Sequence, residues 1–188
     1  MGTPRVEPEM RRTQLCFCLM FSFCGMAFVD FAHLRKENVK DGVLSYHRQK
    51  SGSFIRVEIP ADVRLLLEEL AVCTDKDSPY LFPFLSGKKT GEAAYAEYNG
   101  ALLRFNRDLR SLAETCGVGE PVTSYTIRHS FATTLKEQDV PIEMISELLG
   151  HTSIKTTQIY LKSFSLERLS AVNRACFESV YKPVSEVG

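Results

Sequence analysis

A mainly helical domain carrying one small antiparallel sheet, an α+β fold, is what this sequence predicts, and three observations predict it. From Gly91 onward apolar residues recur at helical spacing, in runs closed by glycine or opened by proline. Strand-like content is confined to residues 42–48 and 54–59, with Gln49-Lys50-Ser51-Gly52-Ser53 as turn chemistry between them. The composition, 44% hydrophobic and 24% charged over 188 residues, suits a single domain with a sizeable core and excludes disorder, collagen-like repeats and a coiled-coil rod.

Taken in order, residues 1–9, with Pro4 and Pro8, read as a disordered lead-in, and 10–188 as one domain. One or two helices then run to about residue 38, with Gly25 marking a bend. Their first part, Arg11 and Arg12 followed by an apolar run from Leu15 to Val29, has two readings: the start of a secretory signal or a buried core helix. Asp30 and His33 continue the helical pattern to Leu34, and no small-residue cleavage site precedes them. The two strands form a hairpin with Lys50 at its tip. Pro60 opens a helix to about Val72 whose leucines share one face. Residues 75–91 read as loop, interrupted by Tyr80-Leu81-Phe82. A long helix follows to Cys116, stopped by Gly117. Thr123 or Ser124 caps the next helix, to about Gln138. Pro141 lies early in another that ends at Gly150, and two more cover about 154–161 and 165–181.

Lys+Arg and Asp+Glu both number 23, which excludes a highly charged nucleic-acid sponge but not a local basic patch. The charge is unevenly placed. Between Arg35 and Arg56 six cations, among them Lys36, Arg48 and Lys50, face two acids, whereas between Glu58 and Asp77 six acids face two cations. Arg104, Arg107 and Arg110 form a second basic stripe at helical spacing. The six cysteines, Cys16, Cys18, Cys24, Cys73, Cys116 and Cys176, show no C-x-x-C pair and no metal-ligand spacing, and read as reduced thiols of a cytoplasmic protein.

Three features carry chemistry in this order: the hairpin lysine; the run Ser124-Tyr125-Thr126-Ile127-Arg128-His129-Ser130-Phe131-Ala132-Thr133; and the run Leu149-Gly150-His151-Thr152-Ser153-Ile154-Lys155-Thr156-Thr157-Gln158-Ile159-Tyr160. Taken singly, Tyr160 fits a buried aromatic, Arg128 a surface ion pair and Lys50 a solvated turn. Together and in sequence they resemble the catalytic domain of the tyrosine recombinases, the phage-integrase family. The Leu-Gly-His box before Thr-Thr-x-x-Tyr and the Arg-His-Ser-Phe-Ala-Thr run are its most specific parts. Phe21-Ser22-Phe23, the 25–30 run and Thr123-Ser124-Tyr125 look most like integrases of Bacteroides-type mobile elements.

The resemblance implies that a tyrosine hydroxyl attacks a DNA phosphodiester, forming a 3′-phosphotyrosyl bond and releasing a 5′-hydroxyl. It implies no cofactor and no metal, because cationic side chains stabilise the phosphorane. Matched position by position, Tyr160 is the nucleophile, Arg128 and His151 contact the scissile phosphate, and Lys50 is the general acid. Asp30 supports the pocket, and His129 lies behind the arginine. Arg35, Lys36, Arg48, Arg104 and Arg107 are the expected DNA-backbone contacts. The expected partners are double-stranded DNA and further copies of the chain in a synaptic tetramer, in the bacterial cytoplasm and nucleoid.

Two positions depart from the family pattern. Tyr125 stands where a histidine is usual, and a phenol can still donate a hydrogen bond. Ala27, in Gly25-Met26-Ala27-Phe28-Val29-Asp30, stands where the first catalytic arginine belongs. Arg48, Arg35 or a residue from another domain are the candidate substitutes. Family members also carry a DNA-clasping domain before the catalytic one, and its absence upstream of Arg11 is expected to leave DNA binding weak and salt-dependent. A catalytically impaired DNA-binding module is therefore the alternative reading. The last helix has an apolar face, including Leu166, Leu169, Val172, Ala175 and Cys176, that either docks on a neighbouring copy or folds back in cis.

Overall fold

The computed structural model describes residues 8–161 and 166–180. Helix α1 (Pro8–Ser22) leads into a sharp reversal, a short helix α2 (Phe28–Ala32), and one 3-10 turn at Lys36–Asn38. Strands β1 (Val39–Lys40), β2 (Val43–His47) and β3 (Phe54–Glu58) make a three-stranded antiparallel sheet in the order β1-β2-β3. Six helices follow: α3 (Ala61–Ala71), α4 (Gly91–Thr115), α5 (Ser124–Glu137), α6 (Ile142–Leu148), α7 (Ile154–Tyr160) and α8 (Leu166–Val180). The expected α+β class is what forms.

The ambiguous N-terminal run is a core helix. Leu15, Cys16, Leu19 and Met20 of α1 and Phe23 beyond it are all buried, and α1 packs on α3, α4 and α5. Fully burying such side chains stabilises the fold by about 1.5–3 kcal/mol each. Among the described residues no helix is long and apolar enough to cross a membrane. Aromatic rings carry the core toward the site side: Phe28 stacks on Phe105 with centroids 4.8 Å apart, and Phe31 on Phe82 at 4.4 Å. A second, smaller cluster of Ala132, Ile145 and Leu149 joins α5 to α6.

The bend expected at Gly25 is a two-residue left-handed turn, with φ 58° at Cys24 and 61° at Gly25. Glycine is needed there twice over, because a Cβ would lie 3.0 Å from Phe131 Cβ and 3.2 Å from Arg128 Cα. The hairpin pairs as its alternation requires. Tyr46 opposes Ile55 and Leu44 opposes Val57, which turns Leu44, Tyr46 and Ile55 into the core.

The sheet differs from the expected two-stranded hairpin by one strand. β1 is only two residues long, too short for any periodicity to show. Its local signal was nevertheless present in Asp41-Gly42, both at positive φ, the pairing that favours a two-residue hairpin loop. Pro141 is the residue before α6 rather than part of it. At the C-terminus, Arg168 pairs with Asp139, and Leu166, Leu169, Val172, Ala175 and Cys176 of α8 are exposed, so the cis fold-back of that face is not what this structure shows. Cys16, Cys18, Cys24, Cys73 and Cys116 are free thiols.

Candidate active site

Five chain segments meet at one cavity of about 680 Å³: the 25–30 turn into α2, the β2–β3 turn, α4, the start of α5, and the α6–α7 junction. Ala27, Arg48, Lys50, Tyr125, Arg128 and His151 all line it, with Tyr98, Leu102 and Asn106 of α4 as one wall.

Arg128 lies one turn into α5, whose start is set by a reciprocal cap between Thr123 and Thr126. Only 3% of it is exposed. Its guanidinium donates to Gly25 O at 2.9 Å, to Leu149 O, and to His151 Nε2 at 3.1 Å. The 25-turn and the end of α6 therefore clamp this arginine by their carbonyls, and a planar fork of donors fits such a clamp where an ammonium would not.

Arg48 closes the hairpin side. It is 7% exposed; its Nε lies 3.5 Å from Asp30 Oδ2 and its Nη1 donates to Gly150 O at 3.0 Å. Asp30, itself buried, uses its other oxygen to accept the Gln49 backbone N–H at 2.7 Å. One carboxylate thus ties α2 to both the Arg48 charge and the hairpin turn. Among the described residues, Arg48 Nη2 has no protein partner, and the residue lines the cavity beside Ala27.

The α6–α7 junction is built on Gly150. Gly150 N–H donates to Glu147 O at 2.8 Å and His151 N–H to Ser146 O at 2.9 Å, the paired bonds of a Schellman motif, with Gly150 at φ +62°. A Cβ on Gly150 would lie 2.6 Å from Ile55 Cδ1 and 2.7 Å from Arg48 Cδ. The motif places the imidazole of His151 between two partners, Arg128 Nη2 and Thr157 Oγ1, the latter 2.8 Å from Nδ1. An arginine can only donate, so Nε2 is the accepting nitrogen and the proton sits on Nδ1, donated to the buried Thr157. Burial, and then the charges of Arg128, Arg48 and Lys50, push the His151 pKa down to about 4, so the ring is neutral at pH 7.

Lys50 is exposed at the hairpin tip, and Tyr125, 59% exposed, stands on the first turn of α5. Tyr160 is the last residue of α7, which packs on α5 and α6; its side chain lies outside the described residues. His129 is half-buried and is not among the residues lining the cavity.

The other four expected DNA contacts are not brought to this cavity. Lys36 Nζ donates to the carbonyls of Asp75 and Lys76, at 3.2 and 2.7 Å, and so holds a loop. Arg35 lies near Glu37 and pairs through its backbone with Tyr80. Arg104 and Arg107 are on the opposite face of α4 from Leu102 and Asn106 and line a separate cavity with Arg12. Asn106, in contrast, reaches the site and drew no attention in the sequence, because a lone helical asparagine carries no local signal. Among the described residues no group of three or more His, Cys, Asp and Glu is placed to hold a metal ion.

The mostly helical body with a three-stranded sheet has the fold of recombinase catalytic domains. This fold is shared by the crystal structure of XerA recombinase (TM-score 0.60, 20% identity, 98% of this chain and 67% of that one). The XerH site-specific recombinase, crystallised on a palindromic difH substrate as a post-cleavage complex, also shares it (TM-score 0.66, 20% identity, 92% of this chain and 47% of that one). At that identity the likeness is one of fold. Residues 1–167 match the sequence profile described as the phage integrase family, and the chain belongs to that family. It is 30% identical over 172 residues to the tyrosine recombinase XerA of Pyrococcus furiosus, covering 90% of this chain and 57% of that protein. It is 33% identical over 176 residues to a tyrosine recombinase of Thermosipho africanus, 93% of this chain and again 57% of the relative. The chain thus spans little more than half the length of these relatives.

Proposed function

We propose that residues 10–188 form the catalytic domain of a site-specific DNA recombinase that cleaves and rejoins DNA through a 3′-phosphotyrosyl intermediate. We further propose that it acts in integration or inversion of a mobile element of the Bacteroides type, as a homo-oligomer on double-stranded DNA in the bacterial cytoplasm. The observation that carries the reading is the convergence of Arg48, Arg128, Lys50 and His151 on one cavity beside α7, the helix that ends in Tyr160.

In this reading the Tyr160 oxygen forms a bond to the scissile phosphorus as the bond from phosphorus to the 5′-oxygen breaks. The phenol proton is released to solvent water, and His151, whose Nε2 accepts from Arg128, positions that guanidinium at the scissile phosphate. Lys50 donates a proton to the departing 5′-oxygen. Arg128, Arg48 and the Tyr125 phenol donate to the non-bridging oxygens, with Arg48 supplying through Nη2 the guanidinium that Ala27 does not. Asp30 holds Arg48, and His129 packs behind Arg128. Reversal by a second 5′-hydroxyl needs no external energy, because the phosphoester bond is conserved.

The test is covalent capture from a pool of nicked duplexes randomised on both sides of the nick. Wild type is expected to yield an adduct that survives denaturation and that Y160F lacks. R48M is expected to slow adduct formation by roughly 10²–10³-fold, the usual effect of removing one transition-state donor. DNA binding without any adduct in wild type would overturn the recombinase reading in favour of a DNA-binding module.

A further inference from the structure

The α4 wall of the cavity holds a polar group that the mechanism above does not use. Asn106 is half-buried and shares with Leu102 and Tyr98, one and two turns back, the face of α4 that lines the cavity. Its Oδ1 accepts the backbone N–H of Ser124, the first residue of α5, at 2.8 Å. A backbone N–H only donates, so this contact fixes which end of the planar amide is oxygen, and the two N–H bonds of Nδ2 must point away from Ser124. Among the described residues Nδ2 has no partner. The charged groups around it offer none, because Arg48, Arg128 and Lys50 are donors without acceptor capacity.

A donor amide of fixed orientation, in a cavity whose charges are all positive, is complementary to an anionic oxygen. We infer that Asn106 donates from Nδ2 to a non-bridging phosphate oxygen of DNA seated in the cavity, while its Oδ1 holds the start of α5 in place. This rests on the recombinase reading and adds to it a neutral contact from α4, the helix whose Arg104 and Arg107 face elsewhere. The double duty sets Asn106 apart from an ordinary capping residue, because the two ends of the amide serve different partners.

Asn106→Asp separates the two roles. The carboxylate still accepts the Ser124 N–H, so the melting temperature should match wild type or exceed it. On the cavity side it replaces a donor by a negative charge, and adduct formation on the duplex captured by wild type should fall roughly ten- to a hundredfold. Asn106→Ala loses both roles, and should lower the melting temperature as well as the adduct rate. Methylphosphonate substitution along the captured duplex, one phosphate at a time, should then relieve the N106D penalty at one position and at no other.

Wild-type adduct rates in N106D, or a penalty that no neutralised phosphate relieves, would overturn the assignment while leaving the recombinase reading intact. If N106D does not fold, N106A serves in its place. Neutralising the contacted phosphate should slow wild type but not N106A, and equal slowing of both overturns the proposal. Absence of any wild-type adduct overturns the recombinase reading and this inference together.

Discussion

His151 provides the sharpest test of the site as built, because its ring is held neutral by burial and by charges from two other segments, α5 and the β2–β3 turn. In the unfolded chain the imidazole titrates near 6.5, while in the folded chain burial and the charges of Arg128, Arg48 and Lys50 push it down to about 4. As pH falls through this interval the unfolded chain takes up a proton and the folded chain does not. Stability from this residue is therefore full above about pH 6.5, declines between there and about pH 4, and changes no further below. The interval of 6.5 to about 4 corresponds to about 3 kcal/mol at ~1.36 kcal/mol per pH unit. The ring is half-exposed, and screening by water leaves about 1–2 kcal/mol of that. Urea unfolding of wild type and His151→Gln across this range isolates the effect, since the carboxylates titrate in both and cancel in the difference. The advantage of wild type over H151Q should shrink by about 1–2 kcal/mol on acidification through this interval. Arg48→Met, which removes one positive neighbour, should move the His151 titration upward. A difference that stays constant, or one that grows as pH falls, would refute the clamped neutral imidazole.

Two further outcomes follow from the same geometry. Gly150→Ala forces a Cβ to within 2.6 Å of Ile55 Cδ1 at φ +62°, and should cost about 2–4 kcal/mol, combining left-handed strain with overpacking. An unchanged urea midpoint would show that the α6–α7 junction relaxes. Asp30→Asn leaves the Arg48 guanidinium, 7% exposed, without its counter-charge and should destabilise by about 3–5 kcal/mol. The same substitution in an Arg48→Met background should cost much less, and additive losses would sink the assigned pairing.

The elements were legible locally because their signals are local. Caps at Thr123, the stop at Gly117 and the Gly150 junction depend on neighbours a few residues away, and α4, α5 and α6 start and end close to where those signals put them. Strand β1 escaped because two residues establish no period, although Asp41-Gly42 marked its turn. The basic residues were the opposite case. Arg35, Lys36, Arg48, Arg104 and Arg107 looked alike in the sequence, since each is a cation in a basic stretch. The fold sends Lys36 to two loop carbonyls, Arg104 and Arg107 to the far face of α4, and only Arg48 to the cavity.

The even balance of 23 cations and 23 acids told little about DNA because it averages over faces that point in different directions. By itself the sequence determined the fold class, the approximate boundaries of α4, α5 and α6, and the Arg128, His151 and Tyr160 motifs, because propensity, capping and residue order are written in contiguous residues. Which guanidinium stands beside Ala27, which tautomer His151 holds, and that Asn106 faces the same cavity were decided only by tertiary structure. Each of those depends on groups far apart in the chain, and their meeting is set by how α1, α4 and α5 pack around the shared core rather than by any neighbour in sequence.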